Sequence, residues 1–389
     1  MSGLKSFSLK KQLNRRNIIH MLVILTMLVC LIFSSDIYVS PLENTTQRPR
    51  GRVIEVDNTL VKQYGVVKVG SQNVDVEILD GDAKGQKIIA SNLLQGKMDI
   101  DKIFRPGDTV ILALNFDDEG KITGATASDF YRIDLILLLC ALFAIFLFVF
   151  AGWTGLRALL SFAFAILFIW KVLIPLFLIG WDPIFVSMIM LTLVTVTSMS
   201  LVVGLTRTAV VSILGTLAGI LVTCFLAIVL FPPFNISGAM LDWSETVLYS
   251  GFPGINLGHL FIAAIFIGAS GAVMDLAIDV STAMREVVLN QPDISQAGLI
   301  KSGLEVGRAM TSTLVTTLLM AYTSGNIGLL MAFMGKGIPL INILNTNYIA
   351  AEILRTIVGC LGLLTVAPLT ALLGGLFFKP FSRNQSKNS

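Results

Sequence analysis

From residue 133 to residue 378 the chain is a succession of apolar runs, each long enough to cross a bilayer as a helix. The runs at 133–151, 156–179, 184–205, 208–231, 258–283, 309–333 and 349–377 match the roughly 17–25 residues that about 30 Å of hydrocarbon demands. Composition agrees, with 54% hydrophobic and only 14% charged residues and a mean hydropathy of +0.81. A soluble domain carries about 25% charged residues, so an ordinary soluble enzyme is excluded and a lipid bilayer is the first partner expected. The net charge of +3 is too small to point to nucleic acid.

Charge is concentrated in one place. Residues 41–130 hold 14 acidic and 11 basic side chains, so a water-facing module is inserted into a membrane protein. Val74-Asp75-Val76-Glu77-Ile78 alternates with period two and 109–116 reads as another strand. Turn signals stand at Asp80-Gly81, Pro106-Gly107-Asp108 and Asp117-Asp118-Glu119-Gly120. Five or so short strands so punctuated suggest a small β-barrel or sandwich of OB-like kind. The module is net acidic and lacks an aromatic-basic face, so a spacer or docking role is favoured over oligonucleotide binding. Cys30, Cys140, Cys224 and Cys360 all lie in apolar runs, so no disulfide staples the module.

An eighth apolar run, 18–33, follows Lys5, Lys10, Lys11, Arg15 and Arg16. Bulky Phe33 and Tyr38 occupy places where a signal peptidase needs small residues, and Val29 spoils a lipoprotein box at Cys30. An uncleaved anchor is expected. With the N-terminus inside, Arg157, Arg207, Arg285, Lys301, Arg308, Lys379, Arg383 and Lys387 fall on the cytoplasmic side, and Asp182, Asp242 and Glu245 outside, with Lys336 against the trend. The expected fold is mainly α: a polytopic helical membrane protein of about eight transmembrane helices with one small extracellular β-barrel-like module. Its parts are a basic cytoplasmic arm (1–17), an anchor (18–35), the β module (36–131), a seven-helix membrane domain (132–378) and a basic cytoplasmic tail (379–389). The weakest span is 309–333, where Ser324-Gly325-Asn326 interrupts the pattern.

Ionisable groups at membrane depth are costly and therefore candidates for function. Asp275 and Asp279 are one helical turn apart on a face shared with Gly271, and Glu286 lies two turns beyond. Two such carboxylates, shielded from water, make a proton-carrying pair. The competing reading puts both at a wetted cytoplasmic end, capped by Arg285. Ala264, Gly268 and Ala272 recur every four residues and favour close helix packing. Arg308 opens a helix rich in hydroxyls, with Thr311, Ser312, Thr313, Thr316 and Thr317. Gluing helices is their commoner use, and proton relay the alternative. Glu352 and Arg355 are spaced to pair with each other, a structural more than a functional arrangement. Asn342, Asn345 and Asn347 line a vestibule or make turns, and Lys171 snorkels at the end of its span.

Gly268-Ala269-Ser270-Gly271 matches the string around the serine of rhomboid-type proteases, but that chemistry needs a histidine on another helix. His20 lies at the first membrane boundary and His259 on the same helix. The sequence holds no H-E-x-x-H, no CxxC pair and no G-x-x-x-x-G-K, so no enzyme, metal site or cofactor is expected.

The stretches 268–286, Lys301-Ser302-Gly303-Leu304-Glu305-Val306-Gly307-Arg308, Ile349-Ala350-Ala351-Glu352-Ile353-Leu354-Arg355 and Ala367-Pro368-Leu369-Thr370-Ala371-Leu372 resemble the YibE/F family of bacterial membrane proteins. The resemblance runs from about residue 50 to 378 and departs at Ala309-Met310-Thr311, where a more acidic or glycine-containing string is expected. It implies a multi-pass protein of the bacterial cell membrane, paired with a second copy or a second YibE/F-like protein. More distantly, 271–277 and 307–313 are similar to the G-x-x-x-D-x-A and G-R-A-x-x-T-like helices in one half of resistance-nodulation-division and SecDF permeases. That similarity implies proton flow past the aspartates. The expected function is thus an ion-coupled permease or export-assisting factor, with Asp275 and Asp279 as carriers and Arg308 or Thr316 tuning them. The alternative is a scaffold whose β module recruits an envelope partner.

Overall fold

The computed structural model describes residues 15–34, 37–38, 46–117 and 121–385, without the side chains of 15–20, 46 and 379–385. The expected roles of the basic arm (1–14, with Arg15 and Arg16), of Asp118, Glu119 and Gly120 in a turn, and of the tail cations Lys379, Arg383 and Lys387 lie outside the described residues. The chain divides into a unit of residues 39–147 and a unit formed by 1–38 and 148–389.

The first unit carries seven strands: β1 Thr46–Gln47, β2 Arg50–Asp57, β3 Val61–Tyr64, β4 Val67–Ile78, β5 Lys87–Gln95, β6 Thr109–Phe116 and β7 Ile122–Phe130. Alternation sets the faces. Val74, Val76 and Ile78 are buried, while Asp75 and Glu77 point the other way, as a period of two requires. Val53, Ala83, Ala90, Val110, Leu112, Leu114 and Ala127 share that core. Phe104 enters it from the β5–β6 loop, and the buried Gln72 amide holds that loop by donating to Phe104 O (2.9 Å) and accepting from Phe104 N (3.1 Å). The sheet runs β1-β6-β2-β4-β5-β7, with β7 returning to β6. The β5–β7 seam has a single parallel pair, Ser91 with Thr126. The expected barrel is therefore a small, strongly curled sheet that one pair joins, rather than a fully laddered barrel.

The helical unit contains α1 Arg15–Phe33 and most of the remaining helices. The division falls inside α2 Ile133–Phe168, which continues through a π turn to Leu178. At about 1.5 Å per residue that stretch is more than twice a bilayer's thickness. It breaks at Gly152, whose φ of 56° and ψ of −131° suit glycine alone. Then come α3 Pro183–Val202, α4 Arg207–Leu230, α5 Leu257–Asn290, α6 Gln296–Ser324, α7 Ile327–Gly335 and α8 Asn347–Gln385. Side-chain caps begin four of them: Asp182, Thr206, Asn256 and Ser295 accept from the amides of Phe185, Ala209, His259 and Gly298.

Among the described residues, five helical stretches are long and apolar enough to cross a membrane, or six if α6 and α7 form one span across their 61° bend. The bend falls at Gly325-Asn326. The hydroxyl-rich helix starts at Gln296 rather than 309, because Lys301, Glu305 and Arg308 interrupt the apolar run without breaking the helix.

Helix α5 is the hub of the bundle and packs on α4, α8, α6 and α3. It lies antiparallel to α4, and cross-contacts set its register. Phe231 meets Phe261 with ring centroids 5.5 Å apart, Ser212 Oγ and Ser281 Oγ are hydrogen-bonded at 2.6 Å, and Arg285 reaches Thr208 at 3.4 Å. Midway, a Cβ on Gly219 would stand 3.2 Å from Val273. Helix α8 closes on α4 so tightly that a Cβ on Gly362 would overlap the Thr223 hydroxyl, small-residue packing of the kind that joins helices in lipid.

Candidate functional site

The register of α5 against α4 fixes where its carboxylates stand along the bundle. Gly219 stands near the middle of α4, and Asp275 is two residues past Val273, the neighbour of Gly219. Asp275 therefore sits about 3 Å from mid-helix, and Asp279 lies between it and the Ser212–Ser281 level. Asp279 stands six residues before Arg285 on the same helix. Burial follows a helical period: Val273, Leu276, Ala277 and Val280 are fully enclosed, whereas Gly268, Gly271, Asp275, Asp279 and Glu286 are all exposed. Neither Asp275 nor Asp279 has a hydrogen-bond or ion-pair partner among the described residues. The stripe of glycines and carboxylates thus lies on the surface of the single chain instead of being enclosed in the bundle.

The residues expected to tune it stand elsewhere. Arg308 lines a groove between α6 and α8 with Leu304, Ser312, Leu364 and Pro368. It makes no ion pair with either aspartate among the described residues. Thr316 donates to Ser312 O, Thr317 to Thr313 O, Thr313 to Met310 O and Thr311 to Gly307 O. These hydroxyls close on their own helix, so they glue nothing to α5 in the single chain.

A second polar feature occupies the opposite end of the bundle from Arg285. A cavity of about 560 Å³ is lined by Asp242, Trp243, Tyr322, Asn326, Tyr348, Glu352 and Arg355, among others. Its floor is an ion pair one helical turn long, Arg355 Nη1 to Glu352 Oε1 at 2.9 Å. The guanidinium lies 5.5 Å from the Phe261 ring centroid and 6.0 Å from that of Tyr322, within cation–π range. Tyr322 links the two features. Its buried hydroxyl has no hydrogen-bond partner among the described residues, and a Cβ on Gly268 would overlap it. From cavity to stripe the order is Tyr322, Gly268, Gly271, Asp275 and Asp279, with about 10 Å of rise from Gly268 to Asp275.

Sequence reasoning named the stripe and the Glu352–Arg355 spacing but missed Tyr322, Trp243 and Asp242 as cavity walls. Trp243 has a left-handed φ of 65°, a backbone choice that no sequence period announces. Ser270 donates to Ile267 O, and His259 pairs with Asp182 across α5 and α3. In Asp182, partial burial opposes ionisation, yet the hydrogen bonds from His259 and Phe185 N outweigh it and hold the carboxyl below its ordinary range.

No curated protein and no solved structure matches the chain. The family comparison does. Residues 139–380 match the YibE/F-like protein model and residues 42–130 match the YibE/F family N-terminal domain. Both polar features lie within the first of these matches, and together the two cover the β unit and the helical bundle: this chain belongs to the YibE/F family.

Proposed function

We propose that the protein is a proton-coupled permease or export-assisting factor of the bacterial cell membrane, and not an enzyme. Eight crossings suit this reading: α1, the two halves of α2 either side of Gly152, α3, α4, α5, the bent α6–α7 pair and α8. Both termini then lie in the cytoplasm, with the curled β module outside and the Asp242–Tyr348 cavity opening outward.

The observation that carries the proposal is Asp275 near the middle of α5, without a partner among the described residues, on a stripe that begins at the cavity-lining Tyr322. A lone charge at membrane depth is costly, so water, a proton or another subunit must compensate it. Protons entering from the cavity pass along the glycine face to Asp275, one turn on to Asp279, and toward Glu286 at the inner end. A second subunit, either a copy of this chain or a related YibE/F protein, covers the stripe. Proteoliposomes carrying a pH-sensitive dye test the relay. Wild-type protein should dissipate an imposed proton gradient, and Asp275→Asn with Asp279→Asn should not. Equal flux through both would sink the relay.

One observation favours the scaffold as a second reading. Ile89 and Leu93 stand on the outer face of β5 with 69% and 67% exposure, an apolar pair suited to a protein partner. Under that reading, function survives loss of the aspartates and fails with Ile89→Lys plus Leu93→Lys.

A further inference from the structure

At the arginine end of the bundle, away from the cavity and beside the Glu286 end of the stripe, α4, α5 and α8 enclose a pocket of about 240 Å³. Its polar wall is Arg207, Arg285, Thr206 and Thr208, and Leu289 and Phe378 supply apolar wall. Among the described residues, no carboxylate lines it. Arg285 makes no ion pair among the described residues and donates to Thr208, whose side chain is almost fully enclosed. Two guanidiniums and two hydroxyls facing one small space are donors for an oxyanion, and guanidinium fits phosphate oxygens in fork geometry.

Depth and apolar surface narrow the ligand. Arg207 is the first residue of α4 and Arg285 lies near the last turn of α5, so the cations sit where a bilayer's phosphates lie. Leu289 is 60% exposed beside them, and a free inorganic anion has no use for such a wall. We infer that this pocket binds the phosphodiester headgroup of an anionic phospholipid, its acyl chains running along the apolar wall. The inference is independent of the permease reading, since it uses none of the residues assigned to the relay.

The test uses the full chain, purified in detergent and examined by native mass spectrometry with phosphatidylglycerol or phosphatidylcholine added in turn. A basic side chain near a membrane surface contributes about fivefold in binding to anionic lipid. Wild type should therefore retain phosphatidylglycerol over phosphatidylcholine by roughly 25-fold, Arg285→Gln by about fivefold, and Arg207→Gln with Arg285→Gln about equally. Equal retention of the two lipids by wild type overturns the inference without any variant. So does undiminished preference in the folded double variant. Inorganic phosphate and glycerol phosphate form the second arm. If either displaces the lipid at comparable concentration, the pocket is a site for soluble phosphate and the lipid assignment fails.

Discussion

Three carboxylates of the β unit are tied down, whereas Asp275 and Asp279 on α5 are left open. Asp80 accepts from Arg50 Nε and from the Arg50 amide, both at 2.6 Å. Asp101 collects the amides of Gln95, Gly96 and Lys97 at 2.6–2.9 Å. Asp129 bridges Lys102 at 3.0 Å and Arg132 at 2.8 Å. These groups face water, where an unpaired carboxylate costs almost nothing, and yet each one fastens a loop or a strand end. Asp275 and Asp279 stand on a helix long and apolar enough to cross a membrane, and among the described residues they fasten nothing. Glu352 and Arg355 lie between the extremes, in the bundle but paired. The difference separates carboxylates that hold the fold from carboxylates whose compensation must come from outside the chain.

The largest expected effect is also the sharpest way to break this comparison. Asp275→Asn should abolish proton flux while leaving the unfolding midpoint in detergent within a degree or two of wild type, because no bond is lost. Flux in proteoliposomes and thermal unfolding of the same preparation check it. A large loss of stability with flux retained would place Asp275 among the fastening groups.

Arg355→Gln should behave in the opposite way. The pair is largely enclosed, with side-chain exposures of 18% for Arg355 and 22% for Glu352. Removing one partner strands the other, at a cost of roughly 3 kcal/mol. Adding Glu352→Gln should recover most of that loss, since the isosteric neutral pair leaves no lone charge. Unfolding of the two single variants and the double variant in a mutant cycle reads this coupling. A double variant as unstable as either single would mean that the pair is worth more than the charges it neutralises.

Much of this contrast was legible in the sequence, for physical reasons that particular residues show. Val74, Val76 and Ile78 alternate because one face of their strand is buried, so the period reported the face. Asp275 and Asp279 stood out because hydrocarbon makes any charge conspicuous. Their exposure did not show, since a helical period says which residues share a face but not what covers it. The cavity was invisible for a different reason. Asp242 and Trp243 come from a loop, Tyr322 from the end of α6, and Glu352 and Arg355 from the start of α8, so only tertiary structure brings them together. The start of α6 was misplaced because three charged residues look like a loop when read by hydropathy alone.

Within the polar stripe, two glycines sharpen the comparison at smaller scale. An alanine at Gly268 meets the Tyr322 hydroxyl, whereas nothing lies within 4 Å of a Cβ at Gly271. Gly268→Ala should therefore cost about 1–3 kcal/mol through displacement of Tyr322. Gly271→Ala should be neutral or stabilise by up to about 1 kcal/mol through helix propensity. Unfolding midpoints of the two variants decide it, and equal effects would show that the stripe is covered or uncovered as a whole.

The smallest effect lies in the β unit and appears only in acid. Hydrogen bonds from the amides of Gln95, Lys97 and Gly96, that of Gln95 foremost, hold the Asp101 carboxyl below its ordinary range against the opposing effect of desolvation. Its folded value is thus lower than its unfolded one, which is near 3.9. The stabilisation it supplies is complete above the unfolded value and is lost as pH falls through the lowered folded value. Protonation takes away the charge that three amides share, so those amides should open first. In the full chain, hydrogen exchange at residues 95–97, corrected for intrinsic rate, should stay slow down to about pH 4 and quicken below it. Asp101→Asn should exchange faster at neutral pH and show no such step, because its amide does not titrate. A step that persists in Asp101→Asn would assign the acid sensitivity to another carboxylate, with Asp80 and its Arg50 bond the next to test.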